Sequence, residues 1–163
     1  MATEALLMQI DGLKGAVTDK GYKDWLSILT FNNGVSNHAQ INNGSGQVVT
    51  DGAYWERIHF AKMMDNTTTQ LMNHVALGAA ITKIIVIKSV TYDDKSVEQF
   101  KFTYSNCVMT SFGFDASAEG GVPVESLSFV FGKVQFETNM AEPDGKTAKQ
   151  GPVGYDLVTN TRL

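Results

Sequence analysis

Along most of the chain apolar and polar residues alternate with period two, and the apolar positions favour β-branched and aromatic side chains, the pattern of half-buried strands. "ALLMQI" puts Leu6, Met8 and Ile10 on one face, and "DGLKG" supplies a glycine-punctuated turn. "DWLSILTF" predicts a second strand, with Leu26 and Ile28 facing one way and Trp25, Leu29 and Phe31 the other, ending at the turn-forming Asn33-Gly34. The polar, glycine-rich stretch "SNHAQINNGSGQVVTDG" reads as a long loop. "AYWERIHFAK" alternates again, Tyr54, Ile58 and Phe60 against Trp55, Arg57 and His59. "ITKIIVIKSV" and "VEQFKFTYSNCVMTSF" predict two strong strands joined at Asp93-Asp94. In "ESLSFVFGKVQFET" the inward phase switches across Gly132, which predicts a bulge or bend there. The tail carries turn signals at Pro143-Asp144-Gly145 and Gly151-Pro152, then a short closing strand in "YDLVTN".

One stretch has the helical period instead. In "MMDNTTTQLMNHVALGAA", Thr67 and Gln70 match a capping box, Asp65 adds negative charge at the positive end of the dipole, and Gly78 suits a C-cap. Leu71, Met72, Val75, Ala76 and Ala79 fall on one side of the wheel, with Gln70, Asn73 and His74 opposite. Leu71, Met72 and Val75 are the expected packing contacts. The fold class is therefore mainly β with one α-helix on its side. Because several strands are apolar on both phases and one helix cannot cover every outer face, part of that second face is expected to be buried by other subunits.

A length of 163 residues, 43% hydrophobic and 18% charged, fits one globular domain, 1–163. A net charge of −4 and pI near 5.3 argue against a nucleic-acid partner, which is held by clustered Lys and Arg. No run of 18 apolar residues is present, so no membrane insertion is expected. "MATEALLMQIDGLKG" lacks the basic start and unbroken apolar run of a signal peptide, which points to the cytoplasm.

Cys107 is the single cysteine, so neither an intrachain disulfide nor a thiolate metal cluster can form, and in a strand it reads as a small buried hydrophobe. His38, His59 and His74 fall in a loop, a strand and a helix with no metal-binding spacing among them. "NGSGQ" around Ser45 lacks the nucleophile-elbow arrangement, and the glycines have neither dinucleotide nor P-loop spacing. The expectation is of no catalytic residue, no cofactor and no metal; the chain is not read as an enzyme.

Taken in order, "DGLKG", "YKDWLSIL", "HFAKMMDNTTTQLMNHVALG", "GGVPVESLSFVFGKVQFE" and "GPVGYDL" resemble the haemolysin-coregulated protein (Hcp) family, the inner-tube proteins of type VI secretion, over nearly the whole length. Lys62, Asp65, Leu71, Met72 and Gly78 match the family's pattern across the helix, and Glu125-Ser126-Leu127 is nearly as telling. Gly15-Ala16-Val17 departs from the family's frequent Gly-Glu-Ser, and Phe136 stands where many members have tryptophan. The resemblance implies a small β-barrel of two antiparallel sheets with the helix packed on its side. It further implies a homo-hexameric ring, stacked into a tube that a contractile sheath expels with its spike proteins, and small effector proteins carried in the channel. Export through that machine accounts for a secreted protein with no signal peptide. The loop holding His38, Gln40, Asn42, Asn43, Gly44, Ser45 and Gly46 resembles the family's protruding loop, placed to stack one ring on the next. Other readings are a phage-type tail-tube subunit, which shares the assembly logic, and a β-barrel carrier of a small apolar ligand, suggested by Trp25, Phe100, Phe102 and Phe129.

Overall fold

The computed structural model describes residues 3–92, 94–141 and 146–163. It is mainly β with one short helix. The strands are β1 (Thr3–Ile10), β2 (Leu26–Ser27), β3 (Thr30–Asn32), β4 (Val35–Ile41), β5 (Val48–Trp55) and β6 (Ile58–Met63). After helix α1 (Thr68–Leu77) come β7 (Ala80–Tyr92), β8 (Lys95–Asp115), β9 (Val124–Val130), β10 (Lys133–Ala141), β11 (Thr147–Asp156) and β12 (Thr161–Arg162).

All pairings are antiparallel, and the 21-residue β8 organises them. Its first half lies between β7 and β10, and its second half pairs with β9, so the sheet curls where β8 changes neighbours. Asn106, at φ 56°, sits at that change. The strand order β1-β7-β8-β9-β6 returns on itself through residues 26–32. Leu26 and Ser27 pair with β1, the Ile28 N–H donates to the Leu6 carbonyl (3.0 Å), the Leu29 N–H to the Ala61 carbonyl (2.7 Å), and β3 then pairs with β6. The result is barrel-like, although no unbroken ladder closes the sheet, because this one segment trades partners halfway.

Inside lie Met8, Ile10, Leu26, Ile58, Phe60, Ile84, Val86, Leu127, Phe129 and Val134, with the aromatic side chains of Phe31, Phe102, Tyr104 and Phe131 meeting among them. Each such buried side chain contributes about 1.5–3 kcal/mol, so the core holds the strands far more firmly than their ladders alone.

Besides the bulges within β4, β8 and β10, period two breaks among the described residues where strands change partner. "DWLSILTF" is not one strand: past Leu29, which is half exposed, Phe31 turns inward beside Phe102. "AYWERIHFAK" divides at Glu56-Arg57, so Tyr54 is exposed while Trp55 packs against Phe131 and Tyr155. At Gly132 the expected bend separates β9 from β10; the Gly132 N–H donates to the Ser105 and Asn106 carbonyls. A Cβ there would approach the Asn106 Cβ to 3.2 Å, so glycine suits the crossing. Gly151-Pro152 is not a turn but a cis bond within β11, opposite a register shift after Phe136. Asp93 and Pro143-Asp144-Gly145 lie outside the described residues; Asp94 does form a turn, at φ 63°.

The second face of β1 and β7 is covered by the chain itself. Leu7 and Ile87 oppose each other there, both buried and apart from the main core. Ala5, Ser89 and Glu98 share that face by register, and the loop after β1 comes back over it, where the Tyr22 hydroxyl donates to Glu98 Oε1 at 2.8 Å. Burial, then the hydrogen bond and charge of Glu98, push the Tyr22 phenol up to about 12. The burial of Leu7, Ile87 and Ser89 thus comes from within the chain, while Gln9 and Ile85, paired on the same face, stay exposed and half-buried.

Candidate assembly interface

The residue types that carried the resemblance converge on one point. Lys62 is on β6 and Glu125 directly opposite on β9, both facing inward and both fully buried. Lys62 Nζ stands 2.6 Å from Glu125 Oε2 and 2.9 Å from Asp65 Oδ1, and donates to the Met63 carbonyl at 3.3 Å. Burying an ammonium is tolerable only with such partners. Glu125 Oε1 takes no hydrogen bond from any described group.

Asp65 links this ion cluster to the helix. Its Oδ1 accepts the Thr67 N–H (2.8 Å) and hydroxyl (2.6 Å), while Thr68 Oγ1 accepts the Asp65 N–H (3.0 Å). These bonds tie down the turn that leads into the helix, whose N-cap is Thr67; the Thr67 side chain makes no capping bond to the helix, so the expected Thr67/Gln70 capping box is not formed. Burial alone would raise the Asp65 pKa, but the Thr67 hydroxyl, the Lys62 ammonium and the Thr67 N–H outweigh it and hold the carboxyl below its ordinary value. The helix ends at Gly78, whose left-handed φ of 60° only glycine adopts without cost.

Leu71 is fully buried, Val75 packs half-buried on the core, and Met72 points outward, 48% exposed. The buried stripe is thus Thr68, Leu71 and Val75, rotated from the wheel's apolar face; His74 is half-buried with Nδ1 2.7 Å from the Gln70 carbonyl oxygen. Leu77 is among the most exposed apolar residues.

The stretch read as a long loop is a hairpin. β4 and β5 pair only with each other, outside the main sheet, and nearly every residue of both is exposed. Polar composition hid it: residues open to solvent on both faces leave no apolar alternation to read. His38 and Gln40 lie on β4, and Asn42, Asn43, Gly44, Ser45 and Gly46 make the turn, closed by Asn42 N–H to the Gln47 carbonyl at 2.8 Å. Trp55 holds the base of the hairpin to the barrel, a role its neighbours in sequence did not signal.

Burial pushes the Cys107 thiol up to about 12, which leaves it unreactive at neutral pH. Among the described residues no three His, Cys, Asp or Glu side chains are grouped to hold a metal, and no helix is long and apolar enough to cross a membrane. A shallow trough of about 490 Å³ lies on the outer face of β3, β6 and β9, lined by Thr30, Asn32, His59 and Ser126.

Residues 7–137 match the family model described as "Type VI secretion system effector, Hcp". Among solved structures, one titled "Structure of a type six secretion system protein" is 22% identical, covers 99% of this chain and 100% of its own, and superposes with a TM-score of 0.91. Hcp1 from Salmonella typhimurium is 21% identical over 100% of both chains, TM-score 0.77. A type VI secretion system effector from Yersinia pestis is 18% identical, covering 93% of this chain and 98% of its own, TM-score 0.69. Curated protein sequences yield no match.

Proposed function

The chain belongs to the Hcp family of type VI secretion tube proteins, structural rather than enzymatic, and from that premise we propose that its copies close into hexameric rings, stack into an expelled tube and carry small effector proteins in the channel. The observation that carries this reading is the free-standing hairpin. A two-stranded sheet alone is marginal in water. Here one projects from the barrel with Val35, Ile41, Val48, Val49 and Tyr54 all exposed, so its stability and its apolar surface both call for a second molecule. The far edge supports lateral contacts in the same way: β11 and β12 end the sheet with Val153, Val158 and Leu163 exposed beside them. Unpaired edges are aggregation hazards unless a neighbour uses them, and a head-to-tail contact does so cleanly when its rotation closes a ring.

In this reading the His38–Gly46 segment joins one ring to the next, the contractile sheath and spike proteins act on the assembled tube, and the protein leaves the cytoplasm through that machine. Negative-stain microscopy of the purified protein tests it. Hexagonal rings that stack are expected, and deleting residues 42–46 should leave rings while shortening stacks; tubes of unchanged length after the deletion would refute the loop's role, and a monodisperse monomer would refute the assembly.

A further inference from the structure

β3 with β4, and β5 with β6, form one long two-stranded ribbon, interrupted around Asn33-Gly34 and Glu56-Arg57, where the Glu56 N–H still donates to the Gly34 carbonyl, and irregular between Asn37 and Ala39. The two ends of this ribbon differ from each other and match in chemistry. At the tip, Ile41 and Val48 are directly opposed, 69% and 61% exposed. At the foot, where Leu29 joins β6 and β6 ends, Leu29, Met63 and Met64 stand about half exposed and line, with Val17, a hollow of about 220 Å³ that has Asp65 in its wall. The hollow is therefore mainly apolar, and its two methionines are side chains that reshape easily around an apolar guest.

The tip cannot fill its own hollow. An extended ribbon from Thr30 to Ile41 separates the two by roughly 30 Å. Neither β4 nor β5 pairs back onto the barrel.

We propose that the Leu29-Met63-Met64 hollow receives the Ile41–Val48 pair of a second copy of this chain in the neighbouring ring. The proposal rests on the stacking reading above and names the surface that the hairpin meets. A second copy is the occupant because donor and receptor sit at opposite ends of one ribbon. Copies displaced along the ribbon then repeat the same contact, the heterologous and non-closing kind that builds a filament. It also gives the hairpin the support it lacks alone.

Met63→Glu and Met64→Glu place a charge in the hollow at exposed positions, one on a strand and one in the following loop, so that at least one should fold; circular dichroism and light scattering verify intact rings. Either variant is expected to weaken association between rings at least about tenfold, read as tube length at a fixed concentration. As a direct measure, an Ile41→Cys/Met64→Cys double variant oxidised with diamide should give a ladder of covalent multimers on a non-reducing gel, while each single variant gives none; the native thiol, Cys107, is buried. Wild-type tube lengths in both Glu variants, no ladder, or cross-linking by Ile41→Cys alone would overturn the receptor. If removing residues 42–46 abolishes stacking and the Glu variants do not, the receptor alone falls; if wild-type rings never stack, the stacking reading falls with it.

Discussion

Lys62 Nζ lies 2.6 Å from Glu125 Oε2, across the β6–β9 pair, with both side chains at 0% exposure. Their mutual dependence is greater than the net worth of the pair. Lys62→Met leaves Glu125 buried with no counter-charge and should cost about 3–5 kcal/mol, Glu125→Leu leaves Lys62 its contact with Asp65 and should cost less, and the double replacement should recover part of the Lys62→Met loss. Urea denaturation of all four proteins gives the coupling directly. Additive losses in the double variant would contradict this account.

Acid should act through Asp65. Its folded-state pKa is depressed, so the stability it provides is complete above the ordinary carboxylate range, near pH 4, and is lost as pH falls below that range through the folded value. The denaturant midpoint should therefore decline as pH drops below about 4. Asp65→Asn should start lower and show a flatter slope across that window; an unchanged slope would place the acid sensitivity elsewhere.

Helix α1 should be anchored by one residue above all. Leu71→Ala empties a fully buried site and should cost about 2–5 kcal/mol, and Leu71→Asp should prevent folding. Met72→Ala, at a position 48% exposed, should cost under about 1 kcal/mol. Thermal melts of the two alanine variants compare them; equal losses would mean that the helix buries a wider face than Thr68, Leu71 and Val75.

Gly15 and Gly21 make a matched pair in the loop that covers β1 and β7. A Cβ on Gly15 would lie 2.2 Å from the Trp25 carbonyl oxygen, and the Gly15 N–H also donates to the Asp24 carbonyl at 2.7 Å. Backbone must move to admit it, so Gly15→Ala should cost about 1–3 kcal/mol and change the near-ultraviolet dichroism of Trp25. Gly21 has open space around its Cβ position, and Gly21→Ala should stay within about 0.5 kcal/mol of wild type.

Alternation by itself determined that this is a β protein with one helix between Lys62 and Ala80, because a half-buried strand and a half-buried helix leave different periods in the chain. It also located Gly132 as a bend and Gly78 as a cap, since both positions constrain the backbone locally. The tertiary structure decided what depends on residues far apart. Lys62 and Glu125 are 63 positions apart in sequence, and only the β6–β9 register makes a buried pair of them. The same holds for the phase changes at Leu29-Thr30 and Glu56-Arg57, where a strand leaves one partner for another and the inward side switches with it. The hairpin was illegible for the opposite reason: with water on both its faces, no core imposed a pattern on it, and its fold follows from pairing between β4 and β5 alone.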